Sequence, residues 1–179
     1  MTEVGSTYGE ALYSLAREEG LSQVIFDQLK VLSVSFAQEP DFVRLLSSPN
    51  LPKAERCQIL DNCFRGKTEP YLLNFLKILT EKGYMRQFPD CVQAYRELYN
   101  RDNGILPVTA VTAVKLTDAQ VNKLTAKLQS LTGKRIELTN QLDPATLGGI
   151  RLDYDGKRVD DTVSHRLDAV RSMLQNTVL

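Results

Sequence analysis

The chain has 179 residues, 42% hydrophobic and 25% charged, an ordinary globular balance. Its 22 basic and 22 acidic residues cancel, and neither half carries the basic excess that nucleic-acid binding requires, so nucleic acid is not expected as a partner. No stretch reaches the roughly 18 continuous apolar residues of a membrane span. The start, "MTEVGSTYGEALYSLA", lacks a basic-then-apolar signal and an Arg-rich transit pattern, so the expectation is a chain that begins here and works in a cytosol.

The first hundred residues read as helices throughout. Residues 6–20 put Tyr8, Leu12, Leu15 and Ala16 on one side, with Gly20 as the end. Residues 22–38 carry Ile25, Leu29, Leu32 and Phe36 at amphipathic spacing. A short piece over 41–48 lies between Pro40 and Pro49. Residues 53–64 place Ala54, Cys57, Leu60 and Phe64 on one face. A fifth helix, "YLLNFLKILTEKG" (71–83), is expected to be capped by Thr68 and stopped at Gly83. The sixth, over 89–104, shows Val92, Tyr95 and Tyr99 along one side.

The period then changes. Residues 106–116 are rich in β-branched side chains and read as a strand. Residues 117–133 open on a capping box, Thr117 with Gln120, and carry a stripe of Val121, Leu124, Leu128 and Leu131. Strict alternation over 135–143 and again over 149–156 predicts two strands. Asp155-Gly156 signals a tight turn into a short strand at Arg158-Val159. A last helix over 162–176 has Val163, Leu167, Val170 and Leu174 at core spacing, with Asp160 or Asp161 as its cap. The expected fold is therefore mainly α: an N-terminal six-helix bundle over 1–105, then a small α+β C-terminal domain over 106–179, with no evident internal repeat.

Chemistry is scarce. "RGKT" (65–68) has the tail of a phosphate-binding loop, but Asp61 stands where that loop needs glycine. Gly148-Gly149 is not a dinucleotide fingerprint and is expected to allow close backbone approach. Cys57, Cys63 and Cys91 form no CxxC pair and read as buried free thiols; the lone His165 lies far from them in sequence, so no metal site is expected. His165 has no nucleophile elbow and no second His beside it. No catalytic residue and no cofactor are expected.

Exposed shape is then the better carrier of function. On a helical wheel the apolar residues of 71–79 cover roughly 220°, where a surface helix needs a stripe of about 100°. Either neighbours cover that helix on several sides, or one edge near Tyr71, Phe75 and Ile78 stays open as a trough for a partner helix. Asn74, Lys77 and Glu81 would form its margin. Tyr8, Ala11, Leu12 and Leu15 offer a matching surface on the first helix, with Gly5 and Gly9 allowing close approach. Composition does not choose between these readings.

Three segments in order, "YGEALYSLA", "NFLKILTEKGYMRQFPDCVQAY" and "LTNQLDPATLGGIRLDYDGKRVDDTVSHRLDAV", resemble the delta subunit family of bacterial F-type ATP synthases, whose mitochondrial counterpart is the oligomycin-sensitivity-conferring protein. The last segment carries the more specific motif, Leu147-Gly148-Gly149-Ile150 and then Asp160 to Leu167. Asp161 stands where the family usually has Gly, and Tyr84 where it commonly has Arg. The resemblance implies a non-catalytic stator subunit that resists rotary torque during proton-driven ATP synthesis. It implies that Tyr8, Ala11, Leu12 and Leu15, with Asn74, Lys77, Ile78 and Glu81, hold the N-terminal helix of an alpha subunit. It also implies that the C-terminal domain meets the b-type stalk subunits; Met173, Leu174, Val178 and Leu179 are the expected contacts. The place is the cytoplasmic face of a bacterial inner (plasma) membrane, with membrane association only through the complex. A helix-binding adaptor unrelated to ATP synthase is the alternative; it shares the trough but not the C-terminal motif.

Overall fold

The computed structural model describes residues 2–48, 50–163 and 165. It is mainly helical, with a small four-stranded sheet in the C-terminal part. Contacts divide the chain into two units after Tyr99.

The first unit holds α1 (Glu3–Glu18), α2 (Ser22–Gln38), α3 (Pro40–Leu46), α4 (Lys53–Phe64) and α5 (Pro70–Lys82), and most of α6 (Phe88–Asp102). Thr2 starts α1: its Oγ1 accepts the Gly5 N–H at 3.2 Å, and its own N–H donates to Asp90 Oδ2 at 2.7 Å. Gly5 and Gly9 are buried, and their close approach is to α6 rather than to a partner. A Cβ on Gly5 would lie 2.4 Å from Asp90 Cβ. The expectation that these glycines serve an incoming helix is therefore corrected: α6 already uses them.

Helix α2 is anchored by aromatic rings at both ends. Phe26 stacks on Tyr99 at 4.2 Å between centroids, and Tyr13 meets Tyr95 edge-on at 5.2 Å. Toward its other end Phe36 packs with Phe42, Phe64 and Phe88. Since Phe88 starts α6 and Tyr99 lies near its end, α2 and α6 run antiparallel.

Two local expectations are corrected. Thr68 does not cap α5: its hydroxyl donates to Phe64 O at 3.2 Å. The helix starts at Pro70, with Glu69 extended before it and no side-chain cap. Proline at the first helical position presets φ and forces its predecessor out of the helix, which fixes the cap position at Glu69, one residue after Thr68. The buried residues of α4 are Arg56 and Leu60, whereas Ala54 is exposed and Cys57 and Phe64 are half-buried. Arg56, only 7% exposed, donates from one nitrogen to Leu46 O at 3.0 Å and Thr80 O at 3.3 Å. These carbonyls belong to the last turns of α3 and α5, where backbone acceptors lack helical partners and the helix dipole is negative.

The second unit contains β1 (Ile105–Thr112), α7 (Asp118–Thr132), β2 (Arg135–Leu142), β3 (Gly149–Tyr154) and β4 (Lys157–Thr162). The sheet order is β2-β1-β3-β4, with β1 and β2 parallel across the α7 crossover and the other pairs antiparallel. The capping box of Thr117 and Gln120 forms as expected. Leu106, Val108 and Ile136 make the core, with Leu128 of α7 and Leu138, Leu152 and Tyr154 against them; Leu131 stays exposed. Strand β1 stops at Thr112, short of the expected 116, because Asn140 takes over: it donates to Ala110 O and Thr112 Oγ1 and accepts the Leu116 N–H, each at 2.9 Å.

Asp155 and Gly156 both have positive φ, 49° and 69°, and join the paired residues Tyr154 and Lys157. That is the two-residue turn whose twist matches a hairpin. Gly149, at φ 81°, pairs with Thr162, and a Cβ there would lie 2.4 Å from Asp161 O. The close approach expected at Gly148-Gly149 is thus located at Gly149. After β4 the His165 N–H donates to Thr162 Oγ1 at 3.2 Å, and Asp160 Oδ1 accepts the Thr162 hydroxyl at 2.7 Å. The N–H three residues on thus goes to the Thr162 hydroxyl, braced by Asp160, rather than to a carboxylate, and the helix expected from there lies largely outside the described residues. The expected core positions Leu167, Val170 and Leu174, and with them Met173, Val178 and Leu179, lie outside the described residues.

Candidate functional site

Helix α5 buries Leu72, Leu73, Phe75, Leu76, Leu79 and Thr80. Ile78 lies about 60° around the wheel from Phe75, beyond the buried arc, and is 45% exposed. On α1, Gly5, Gly9, Leu12, Tyr13 and Ala16 face the core, while Leu15 is 36% exposed. Both helices therefore carry one aliphatic side chain outside their core stripe.

The two helices are neighbours, joined at both ends. Tyr71, at the start of α5, hydrogen-bonds Glu19, just past the end of α1; that carboxylate's charge is the main cause that raises the Tyr71 phenol above its ordinary pKa. Tyr8, on α1, meets Tyr84, just past α5, edge-on at 5.9 Å. The pairing start-to-end makes α1 and α5 antiparallel. Along α1 the two joints, at Tyr8 and Glu19, lie roughly 17 Å apart, about three helical turns, and the expected trough would lie between them.

Each expected trough residue has a definite place. Ala11, Leu15, Asn74, Ile78 and Glu81 are exposed, and Tyr8 is half-buried. Leu12, only 4% exposed, belongs to the core beneath. Lys77 is turned toward α4, its Nζ 2.7 Å from Asp61 Oδ1. Glu81 accepts the Cys57 thiol at 3.7 Å. Burial first, and this carboxylate second, push the Cys57 thiol up from its ordinary value. The α5 margin of the trough is thus braced by α4.

The trough has an internal correspondence that the sequence reading did not find. "YGEALYSLARE" (8–18) and "YLLNFLKILTE" (71–81) share Tyr at the first position, an exposed small or polar residue at the fourth, a buried Leu or Phe at the fifth, an exposed Leu or Ile at the eighth and Glu at the last. Their burial differs at the third, seventh and tenth positions, where α1 shows Glu10, Ser14 and Arg17 to solvent and α5 has Leu73, Lys77 and Thr80. Lys77 and Thr80 are positions that α4 contacts. Two antiparallel helices with one pattern make an approximately two-fold pair, in which each end has one Tyr and one Glu.

No reactive constellation accompanies it. Among the described residues no group of three or more His, Cys, Asp or Glu could hold a metal ion, and no helix is long and apolar enough to cross a membrane. The three cysteines are free; Cys91 is buried, with its thiol pushed up to about 11 by desolvation, while Cys57 and Cys63 are only half-buried. His165 is exposed.

Sequence reasoning missed Arg56, Asp61, Tyr84 and Asn140 as organisers. The signal for Arg56 was available: it stands one turn before the buried Leu60. Asp61 and Tyr84 had no such signal, because their partners are distant in sequence.

A family model described as ATP synthase delta (OSCP) subunit matches residues 4–174. Chains named ATP synthase subunit delta from Clostridioides difficile (strain 630) and Alkaliphilus oremlandii (strain OhILAs) are 29% and 31% identical over 176 residues, covering 98% of this chain and 97% and 98% of theirs. A chain in the solved Toxoplasma gondii mitochondrial ATP synthase hexamer shares the fold, with a TM-score of 0.77 at 21% identity over 97% of this chain and 98% of that one.

Proposed function

This chain belongs to the ATP synthase delta (OSCP) subunit family, and from that premise we propose that its α1–α5 trough holds the N-terminal helix of an alpha subunit. As a delta subunit it is a structural, non-catalytic component of the peripheral stalk, within the membrane-associated F-type ATP synthase. In the proposed arrangement residues 1–105 act as a six-helix clamp on the catalytic head, and residues 106–179 meet the b-type stalk subunits at the cytoplasmic face of a bacterial plasma membrane. The stalk contacts expected at Met173, Leu174, Val178 and Leu179 lie outside the described residues.

The physical logic needs affinity, not chemistry. Rotation of the central shaft applies torque to the head, and a stator must hold the head still. An interface of roughly 1,600 Å² with a few central apolar anchors gives a long-lived joint. The observation that carries the reading is the pair Leu15 and Ile78: exposed aliphatic side chains on adjacent antiparallel helices, between the Tyr8–Tyr84 ring contact and the Tyr71–Glu19 hydrogen bond. An amphipathic helix lays its apolar stripe into such a slot.

Co-purification tests the assignment to the complex. A tagged full-length chain, solubilised from native membranes, brings down alpha and b-type subunits. Recovery of the tagged chain without them overturns the reading.

A further inference from the structure

The end of α6 places a reactive pair of residues at the surface. Helix α6 stops at Asp102, and Gly104 follows with φ 61°. That left-handed conformation suits glycine and strains other residues, so the fold itself demands a glycine behind Asn103. Every other asparagine of the chain precedes a residue with a side chain, which crowds the next backbone nitrogen. Asn103 is exposed. Among the described residues, chain neighbours apart, no heavy atom lies within 4 Å of where a Gly104 Cβ would be. The Gly104 N–H donates to Arg101 O at 3.3 Å, beyond the usual range of about 2.7–3.2 Å. That bond belongs to the end of a helix, where turns fray and opening costs least.

We infer that Asn103 is a site of spontaneous deamidation, with water as the co-reactant. When the last turn of α6 opens, the Gly104 nitrogen attacks Asn103 Cγ. A C–N bond forms, the Cγ–Nδ2 bond breaks, and the Gly104 proton leaves with Nδ2 as ammonia. Water then opens the cyclic imide at one of its two carbonyls. Opening at Cγ gives aspartate. Opening at the Asn103 main-chain carbonyl gives isoaspartate, in which the backbone runs through Cβ and Cγ and is one carbon longer. Either product adds a carboxylate beside Asp102. The lengthened backbone has a further consequence. Gly104 O accepts the Arg135 N–H at 2.9 Å, next to the first β1–β2 pair, Ile105 with Arg135. An extra backbone atom one residue upstream displaces that acceptor and loosens the start of the pairing. The chemistry does not depend on the α1–α5 trough.

Incubation of the full folded chain at neutral and at alkaline pH, followed by peptide mapping with separation of aspartate and isoaspartate, tests this. Attack runs through the deprotonated nitrogen, so conversion is expected at Asn103 before any other asparagine and faster at alkaline pH. The isoaspartyl fraction, separated by ion exchange, is expected to lose hydrogen-exchange protection at the Arg135 amide. Asn103→Gln, incubated alike, is expected to keep that protection, because its longer side chain does not close the same ring. Asn103 left intact in the folded chain overturns the inference; conversion of the urea-unfolded chain under the same conditions then assigns the protection to the fold. Earlier conversion at another asparagine also overturns it. Conversion at Asn103 with unchanged exchange at Arg135 overturns the loosening of the β1–β2 pairing.

Discussion

A Cβ on Gly9 would lie 2.5 Å from the backbone oxygen of Cys91. Helices α1 and α6 approach to backbone contact there, with Ala94 Cβ 2.7 Å away as a second obstacle. Intrinsic propensity favours alanine over glycine in a helix by about 1 kcal/mol. Displacing backbone in a packed core costs about 1–3 kcal/mol. The clash wins, so Gly9→Ala is expected to destabilise the first unit, seen as a lower urea midpoint. The same contact positions the trough, because α1's rotation against α6 decides which of its side chains remain outside.

Arg56 is the one buried cation of α4, and its counter-charges are the carbonyl ends of two helices. Arg56→Met keeps much of the volume but removes the charged donor from Leu46 O and Thr80 O, leaving Thr80 O only the Gly83 N–H. A hydrogen bond to a charged group contributes about 1.5–3 kcal/mol, so a loss of about 2–3 kcal/mol in chemical unfolding is expected. Arg56→Lys is expected to recover only part of this, since the ammonium is more strongly hydrated than a guanidinium and costs more to bury.

Asp90 links pH to the start of α1. Its carboxyl is held below the ordinary value chiefly by hydrogen bonding from Thr2. Its stabilisation is full above the unfolded carboxylate range, near pH 4, and is lost as pH falls through the folded value. Asp153, held down first by hydrogen bonding from Arg158, and Asp160, held down first by the Thr162 hydroxyl, act in the same direction in the second unit. Thermal melts from about pH 7 to about pH 3 are expected to show falling stability. Asp90→Asn should start lower at neutral pH and lose less on acidification.

Much of the fold was legible in the sequence because it rests on local rules. The helical stripe of 22–38 matches α2, the Thr117–Gln120 box opens α7, and Asp155-Gly156 turns the β3–β4 hairpin. Where expectation failed, a non-local partner or a neighbouring proline decided the outcome. Thr68 lost the cap because Pro70 fixed the first turn. Gly5 and Gly9 look like small residues on an open face until α6, some 85 residues away in sequence, is laid against them. The site was half legible: spacing placed Leu15 and Ile78 on apolar edges, but only the structure separates exposed Leu15 from buried Leu12 and sends Lys77 to Asp61.

The most direct measurement is calorimetric titration of the full chain with a peptide of the alpha-subunit N-terminal helix, comparing the unmodified chain with Ile78→Glu and Tyr8→Ala. A carboxylate placed on the apolar floor has to be desolvated, and Tyr8 joins one end of the slot, so at least tenfold weaker binding is expected for Ile78→Glu and a smaller loss for Tyr8→Ala. Circular dichroism of each variant should match the unmodified chain, since Ile78 is already exposed. Unchanged affinity in both folded variants would contradict the account.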